Sequence, residues 1–518
     1  MKDNNSRSKN SLTNASVALF YFIITNIFSF VMKIVLTRFI GIEYAGLNSL
    51  LTNIIGILNI AELGLSVAIG YSLYKPLANN DYETINEILY LYRYLYRIIS
   101  VFILIAGIIV TIFIGNFVNT TIALNEIRIC FLLYIIVTIA SYLLTYLTVL
   151  PSANQKNYLI VKIQNNGKII KNILQIISII LFKNFYIWLV IEIIVSIIIY
   201  LYTNIVIRKK YPWYNQKENY EIKSLLKKYK SIVKSTRNLF FHKIGALAVY
   251  QTDVILISYF TNLKESGIYS NYILIYTLLT GVTEQMFNGI TASIGNLIIN
   301  KDEKKTFSIW KEMYVFTLYA SLICGILFYL LANPFIKVCF GDNLTFSNTI
   351  VLCIVINTVF RIIKNPIDKF KEAYGIFWDI YAPIIEAIVN LVSSVILAIH
   401  FGLIGIVIGT IISNVLITII WKPYVIFKYG FKEKMKKFVY INIKYILIGL
   451  VGVAITYFVC TNIHFTIKNE IVNLLLLFIT NIIISTIIIT TVFSLDKYFK
   501  ELLKKYINLV VSFVKRTI

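Results

Sequence analysis

The sequence predicts an all-α polytopic membrane protein of about fourteen transmembrane helices, and three observations carry that expectation. Apolar runs recur from residue 15 to residue 493, each near the ~20 residues needed to cross ~30 Å of hydrocarbon. Only 14 % of the 518 residues are charged and 58 % are hydrophobic, with a mean hydropathy of +0.77; a soluble protein carries roughly a quarter charged residues. The 49 Lys and Arg outnumber the 25 Asp and Glu and gather in alternate connections, as in the cytoplasmic loops of membrane proteins. That placement accounts for a net charge of +24 without nucleic acid as a partner. A β-barrel is excluded, because it needs short alternating segments.

Residues 1–14 form a polar N-terminal tail. Six spans follow at 15–40, 44–72, 85–116, 124–150, 157–182 and 185–207, an N-terminal lobe over 15–207. The connection 208–237 is the longest. Within it, KENYEIKSLLKKYKSIVKS sets Ile222, Leu225, Leu226, Tyr229 and Val233 at helical spacing between lysines, which reads as an amphipathic helix on the inner leaflet. Spans at 238–262, 266–298, 307–332, 346–370, 373–400 and 402–427 make a C-terminal lobe over 238–427. Two more, 438–462 and 470–493, fall in 428–493, and 494–518 is a second basic amphipathic tail. Clusters such as Lys301, Lys304 and Lys305, or Lys432, Lys434, Lys436 and Lys437, fall on one side. The other side holds little beyond Arg128, Lys183, Lys264, Lys337 and Lys468. The asymmetry puts both termini in the cytoplasm.

The lobes carry a weak internal repeat. RFIGIEYAGLNSLLTNIIGILNIAELGLSVAIG, from Arg38, aligns with YFTNLKESGIYSNYILIYTLLTGVTEQMFNGITASIG, from Tyr259, matching Gly46 to Gly267 and bringing Glu62 near Glu284. A parallel repeat implies two pseudo-symmetric lobes around a central cavity. Polar stripes point to the same place. Asn26, Ser29, Lys33 and Thr37 share one face of the first helix. Asn48, Thr52, Asn59, Glu62 and Ser66 mark the second helix, and His242, Tyr250 and Asp253 the seventh. Thr277, Thr280, Glu284, Asn288 and Thr291 mark the eighth, and Asp379, Glu386 and Asn390 the eleventh, beside Pro383. A charge at membrane depth is costly unless it faces protein or water. Lys33, Arg38, Asn59, Asn288 and Arg361 are therefore candidates to bind substrate, and Asp253, Glu62, Glu284 and Glu386 to bind a coupling ion, H⁺ or Na⁺. Lys33 and Asp253 fall at nearly equivalent places in the two copies and are expected to pair. Other readings stay open: the single Ser, Thr and Asn residues of the stripes also serve helix adhesion, Arg38 equally reaches the headgroups, and Lys168, Lys171 and Arg361, each taken alone, follow from topology.

No Walker A sequence or nucleophile elbow occurs, and the outer connections are too short for a catalytic domain, so an enzyme such as a membrane polysaccharide polymerase is not expected. Cys130, Cys324, Cys339, Cys353 and Cys460 show no CxxC spacing, and His242, His400 and His464 lack a ligand partner four residues on; no metal or cofactor is expected.

The segment VLTRFIGIEYAGLNSLLTNIIGILNIAELGLSVAIGYSLYKPLANND carries a more specific signal. A helix ends in Arg38 and Gly41, a Tyr-x-Gly-Leu turn follows over Tyr44 to Leu47, then Ala-Glu-Leu-Gly-Leu over Ala61 to Leu65 and Tyr-Lys-Pro-Leu-Ala over Tyr74 to Ala78. It resembles the Wzx-type polysaccharide flippases of the multidrug/oligosaccharidyl-lipid/polysaccharide (MOP) exporter superfamily, sharply over about the first hundred residues. The resemblance implies a MATE-like fold in a bacterial cytoplasmic (inner) membrane. It also implies movement of undecaprenyl-diphosphate-linked oligosaccharide from inner to outer leaflet by alternating access, alongside membrane lipids and a polysaccharide polymerase complex. Alternatives within that class are a lipid II or spore-wall precursor flippase and a MATE-type multidrug/cation antiporter. Lys33 speaks against the antiporter, whose cavity wants acidic groups.

Overall fold

The computed structural model describes residues 2–62, 64–214, 220–232, 236, 251–299, 303–376, 378–379, 381–463, 465 and 467–517. Among them every regular element is a helix and none is a strand. Among the described residues, ten helices are long and apolar enough to cross a membrane. Of the expected spans, those absent from the ten are 44–72, 157–182, 238–262 and 266–298. Part of 238–262 lies outside the described residues; in 44–72 the apolar helix Ile42–Leu58 stops at 17 residues, and 157–182 and 266–298 are helical but carry internal lysines or a polar stripe that lower their hydropathy.

The chain forms two compact units, residues 1–270 with 380–406, and residues 271–379 with 407–518. The first unit opens with α1 (Lys2–Phe39), α2 (Ile42–Leu58), α3 (Leu65–Asn79), α4 (Tyr82–Phe113) and α5 (Leu124–Thr145), followed by α6 (Asn157–Phe182) and α7 (Phe185–Lys210). α1 packs on α6, α6 on α7, and α5 on both α4 and α7. Polar caps set the starts: Asp81 accepts from the Thr84 amide at 3.1 Å, and Asn184 from the Tyr186 and Ile187 amides at 2.8 and 3.2 Å. Such caps satisfy amides that the helix itself leaves unpaired. The Thr84 hydrogen bonds also hold the Asp81 carboxyl below its usual range.

The expected second span, 44–72, is broken. After α2 the chain runs through a tight turn, Asn59–Glu62, and Gly64 takes φ 88° before α3 begins. An L-residue rarely adopts that conformation, so glycine sets the break and Glu62 lies on a turn, not on a helix face.

The rest of the unit comprises α8 (Ile222–Lys228), a helix α9 over 251–260, the start of α10 (Leu263–Ile299) and α13 (Tyr381–Phe401). Two apolar clusters fill the unit, one around Leu73, Leu89, Tyr92 and Leu150, the other around Leu36, Leu47, Phe131 and Trp188. Leu225 of α8, expected to face lipid, is instead buried. Lys228 and Tyr229 both reach Glu87 at the start of α4, Lys228 at 2.5 Å. Leu225 of α8 therefore packs on protein.

The second unit is built on α11 (Glu303–Phe340) and α12 (Asn348–Ala373), with α14 (Leu403–Asn414), α15 (Met435–Thr461), α16 (Glu470–Phe493) and α17 (Lys497–Thr517). α11 packs on α12, α15 and α16. Beyond α14 the chain continues as wider π-type turns over Val415–Trp421 and Ile426–Phe431, around Pro423, the kind of insertion that relieves a helix of a missing donor. The core is aromatic: Trp310 stacks on Tyr314 and meets Phe427 edge-on, both at 5.0 Å, geometries favoured by the ring quadrupole. Phe499 and Leu502 of α17 enter this core, and Lys505 pairs with Glu312 at 2.6 Å, so the first half of α17 packs on protein.

Outward faces are apolar. Ile98, Val101, Phe102, Ile105, Ile109 and Ile112 of α4 are all exposed, a strip that water would penalise and lipid would not.

Candidate functional site

Lys33 sits six residues before the end of α1 and is buried at 7 % exposure. Its ammonium donates to the Ser270 hydroxyl, which donates in turn to the Gly267 carbonyl at 2.7 Å. Asp253, equally buried, accepts from the Tyr269 hydroxyl at 3.1 Å. The two charges expected to pair thus each reach a hydroxyl on consecutive residues of α10. Thr37 Oγ1, one turn beyond Lys33, is buried with no hydrogen bond among the described residues.

This arrangement depends on a close approach of two helix starts. A β-carbon on Gly46 would sit 3.0 Å from the carbonyl carbon of Leu263 and 3.1 Å from the amide nitrogen of Gly267. One on Gly267 would sit 2.5 Å from the Ile42 carbonyl oxygen. The contact is reciprocal: at Gly46 the obstacle is main chain throughout, and at Gly267 the nearest obstacle is main chain, with the Ile42 side chain at 3.0 Å behind it. Ser266 donates to the Val254 carbonyl at 3.2 Å, tying α10 to α9 beside Asp253.

Glu62 accepts from Tyr96 at 2.8 Å, and Tyr92 donates to Tyr96 at 2.5 Å. Asn59 accepts from Tyr142 at 3.0 Å. The turn that breaks the second span therefore presents its two polar side chains to a row of tyrosine hydroxyls. Arg38 is exposed at the end of α1. Glu386 is buried in α13 at 5 % exposure, one turn before Asn390, which accepts from Thr252 at 3.3 Å.

In the second unit Arg361 pairs with Glu284 at 2.5 Å, joining one candidate for substrate and one for ion. Asn288, one turn beyond Glu284, is exposed. Arg361, Lys364, Asp368 and Lys371 follow at spacings of 3, 4 and 3 on α12. Asp368 pairs with Lys422 at 2.8 Å and Lys371 with Asp379 at 2.5 Å. His242 and Tyr250 lie outside the described residues.

Sequence reasoning missed the pairing of Lys171 with Glu192 in the first unit, where Gln175 also donates to Glu192 at 2.9 Å. A glutamate inside the run WLVIEIIVS was the available signal. Lys171, Arg361, Lys371 and Lys422 each have a carboxylate. Lys33 differs: among the described residues its partner is a hydroxyl.

Long apolar helices with apolar outward faces define a multi-pass membrane protein. The structure is similar to that of a lipid II flippase, MurJ, in an inward closed conformation (TM-score 0.67, 16 % identity, 93 % of this chain and 99 % of that one). It is also similar to a mutant of the Vibrio cholerae MATE transporter VcmN (TM-score 0.55, 12 % identity, 83 % and 99 %). A third similarity is to a eukaryotic MATE transporter, AtDTX14 (TM-score 0.55, 12 % identity, 82 % and 97 %). At these identities the shared property is the fold. No curated protein matches the chain in sequence. The chain belongs to the polysaccharide biosynthesis protein family (Polysacc_synt), whose profile matches residues 11–288, in keeping with the resemblance carried by Arg38 to Ala78.

Proposed function

We propose that this protein is a flippase that carries undecaprenyl-diphosphate-linked oligosaccharide from the inner to the outer leaflet of a bacterial cytoplasmic membrane. In this reading fourteen spans form two pseudo-symmetric lobes, 15–207 and 238–427, with both termini cytoplasmic, and the cargo crosses by alternating access without chemical change. The observation that carries it is Lys33: a buried ammonium in a membrane helix, held by Ser270 and paired with no carboxylate among the described residues. A lysine amine held by a neutral group has no carboxylate to compete with an arriving anion, and the resemblance to the Wzx-type flippases implies a diphosphate as that anion. Asn59, the tyrosines around it and Asn288 have the donors and acceptors that sugar hydroxyls need. Asp253, Glu62, Glu284 and Glu386 would take up H⁺ or Na⁺, and Arg361 would receive the diphosphate on releasing Glu284.

Lys33→Ala should abolish glycan export while the protein still inserts, and Lys33→Arg should retain part of it. Normal export by a stably expressed Lys33→Ala protein would remove Lys33 from the cargo site. The likeness to the MurJ fold favours a second cargo, lipid II. Flipping assays in proteoliposomes with both lipids separate the two.

A further inference from the structure

We infer that the second unit carries a binding site for the headgroup of an anionic glycerophospholipid at the start of α15. A cavity of about 430 Å³ there is lined by Phe307, Lys311, Lys436, Lys437, Tyr440 and Lys444. A second, of about 350 Å³, flanks the same helix start and adds Lys428, Lys432 and Lys434.

These seven lysines meet three carboxylates. Glu433 pairs with Lys437 at 2.6 Å, Glu303 with Lys432 at 2.6 Å, and Asp496 with Lys444. Lys311 lies 3.8 Å from the centre of the Tyr498 ring, and Lys428 donates to the Tyr424 hydroxyl at 2.9 Å. An excess of positive charge remains in a pocket partly walled by rings, where an ammonium–phosphate hydrogen bond is stronger than in open water.

The neighbouring surface selects a lipid over a free anion. From Tyr440 the outward face of α15 continues through Ile443, Leu447 and Leu450, at spacings of 3, 4 and 3, exposed at 67 %, 55 %, 58 % and 54 %. A phosphate in the cavity would thus have its acyl chains laid along an apolar strip one helix turn away. Basic pockets between membrane helices bind anionic headgroups in this manner. The proposed orientation assigns the site to the cytoplasmic leaflet. The inference does not depend on what the protein carries.

The test is lipid titration of the full-length protein in neutral detergent, read by native mass spectrometry, with phosphatidylglycerol, phosphatidylcholine, glycerol 3-phosphate and undecaprenyl phosphate. Each lysine facing an anionic surface contributes about a fivefold change in affinity, so Lys436→Gln with Lys437→Gln should weaken phosphatidylglycerol binding roughly twenty-five-fold. Lys436→Arg with Lys437→Arg should restore it, and Lys223→Gln with Lys227→Gln, on α8, should leave it unchanged. Equal affinity of the Gln pair and the parent protein would overturn the site, as would phosphatidylcholine binding as tightly as phosphatidylglycerol. Competition by glycerol 3-phosphate at equal strength would make it a free-phosphate site. Binding of undecaprenyl phosphate alone would make it a polyprenyl site. Either result replaces the proposal. A failure of Lys33→Ala to stop export would leave this outcome untouched.

Discussion

Gly46 and Gly267 meet main chain at the very point where a side chain would begin. Either glycine changed to alanine must push the two helix starts apart. Overpacking of this kind costs about 1–3 kcal/mol, so Gly46→Ala and Gly267→Ala should each lower the thermal midpoint in detergent. A midpoint within error of the parent's would show that α2 and α10 separate freely. The same displacement draws Ser270 from Lys33, and both variants should therefore lose export at expression levels that sustain the parent. Gly64 presents a different case, one of conformation: at φ 88° an alanine is strained by roughly 1–2 kcal/mol. Gly64→Ala should disturb the Asn59–Glu62 turn, read as weaker protection of the α3 amides in hydrogen exchange.

The elements differ in how plainly the sequence announced them. The bounds 157–182 and 470–493 coincide with α6 and α16, although only α16 is among the ten helices apolar enough to cross a membrane, and Asn184 and Asn469 mark helix starts by a purely local pattern. The break at Gly64 was hidden, since Leu63-Gly64-Leu65 continues an apolar rhythm and only the backbone angle reveals the turn. Charge partners were harder still. Lys33 and Asp253 stood out as buried charges, yet their hydroxyl partners depend on how α10 lies against α1 and α9, a lateral relation that no helical period encodes. α17 supplies a test at this scale. Burial raises the Asp496 carboxyl, but bonds from Lys444, Tyr445 and the Phe499 amide outweigh it and hold the group below its usual range. A carboxyl lowered on folding stabilises above its unfolded value, about 3.9, and that contribution is lost as pH falls through the lower folded value. Asp496→Asn should loosen α17 at neutral pH, seen as faster proteolysis, and the difference from the parent should vanish in strong acid. A difference that persists there would mean that the carboxylate's charge is not what anchors the helix.

For the whole molecule, the Lys and Arg distribution makes a topological claim that the packing of α8 sharpens. With Leu225 buried and Lys228 on Glu87, α8 docks on its own unit. In a cysteine-free background, Lys227→Cys should resist an impermeant thiol reagent applied to intact cells, and Lys264→Cys should react. Labelling in the reverse pattern would invert the protein in the membrane and move the proposed lipid site to the other leaflet.

The reciprocal glycine contact also shapes what heredity can do with it. A clash between two side chains is cured by shrinking either one, and genetics finds such repairs easily. Here the obstructing atoms at Gly46 are a carbonyl and an amide, which every amino acid shares. A selection for suppressors of Gly46→Ala should therefore return reversion to glycine, or changes that shift whole helices, and almost no compensating substitution at Ile42, Leu263 or Gly267.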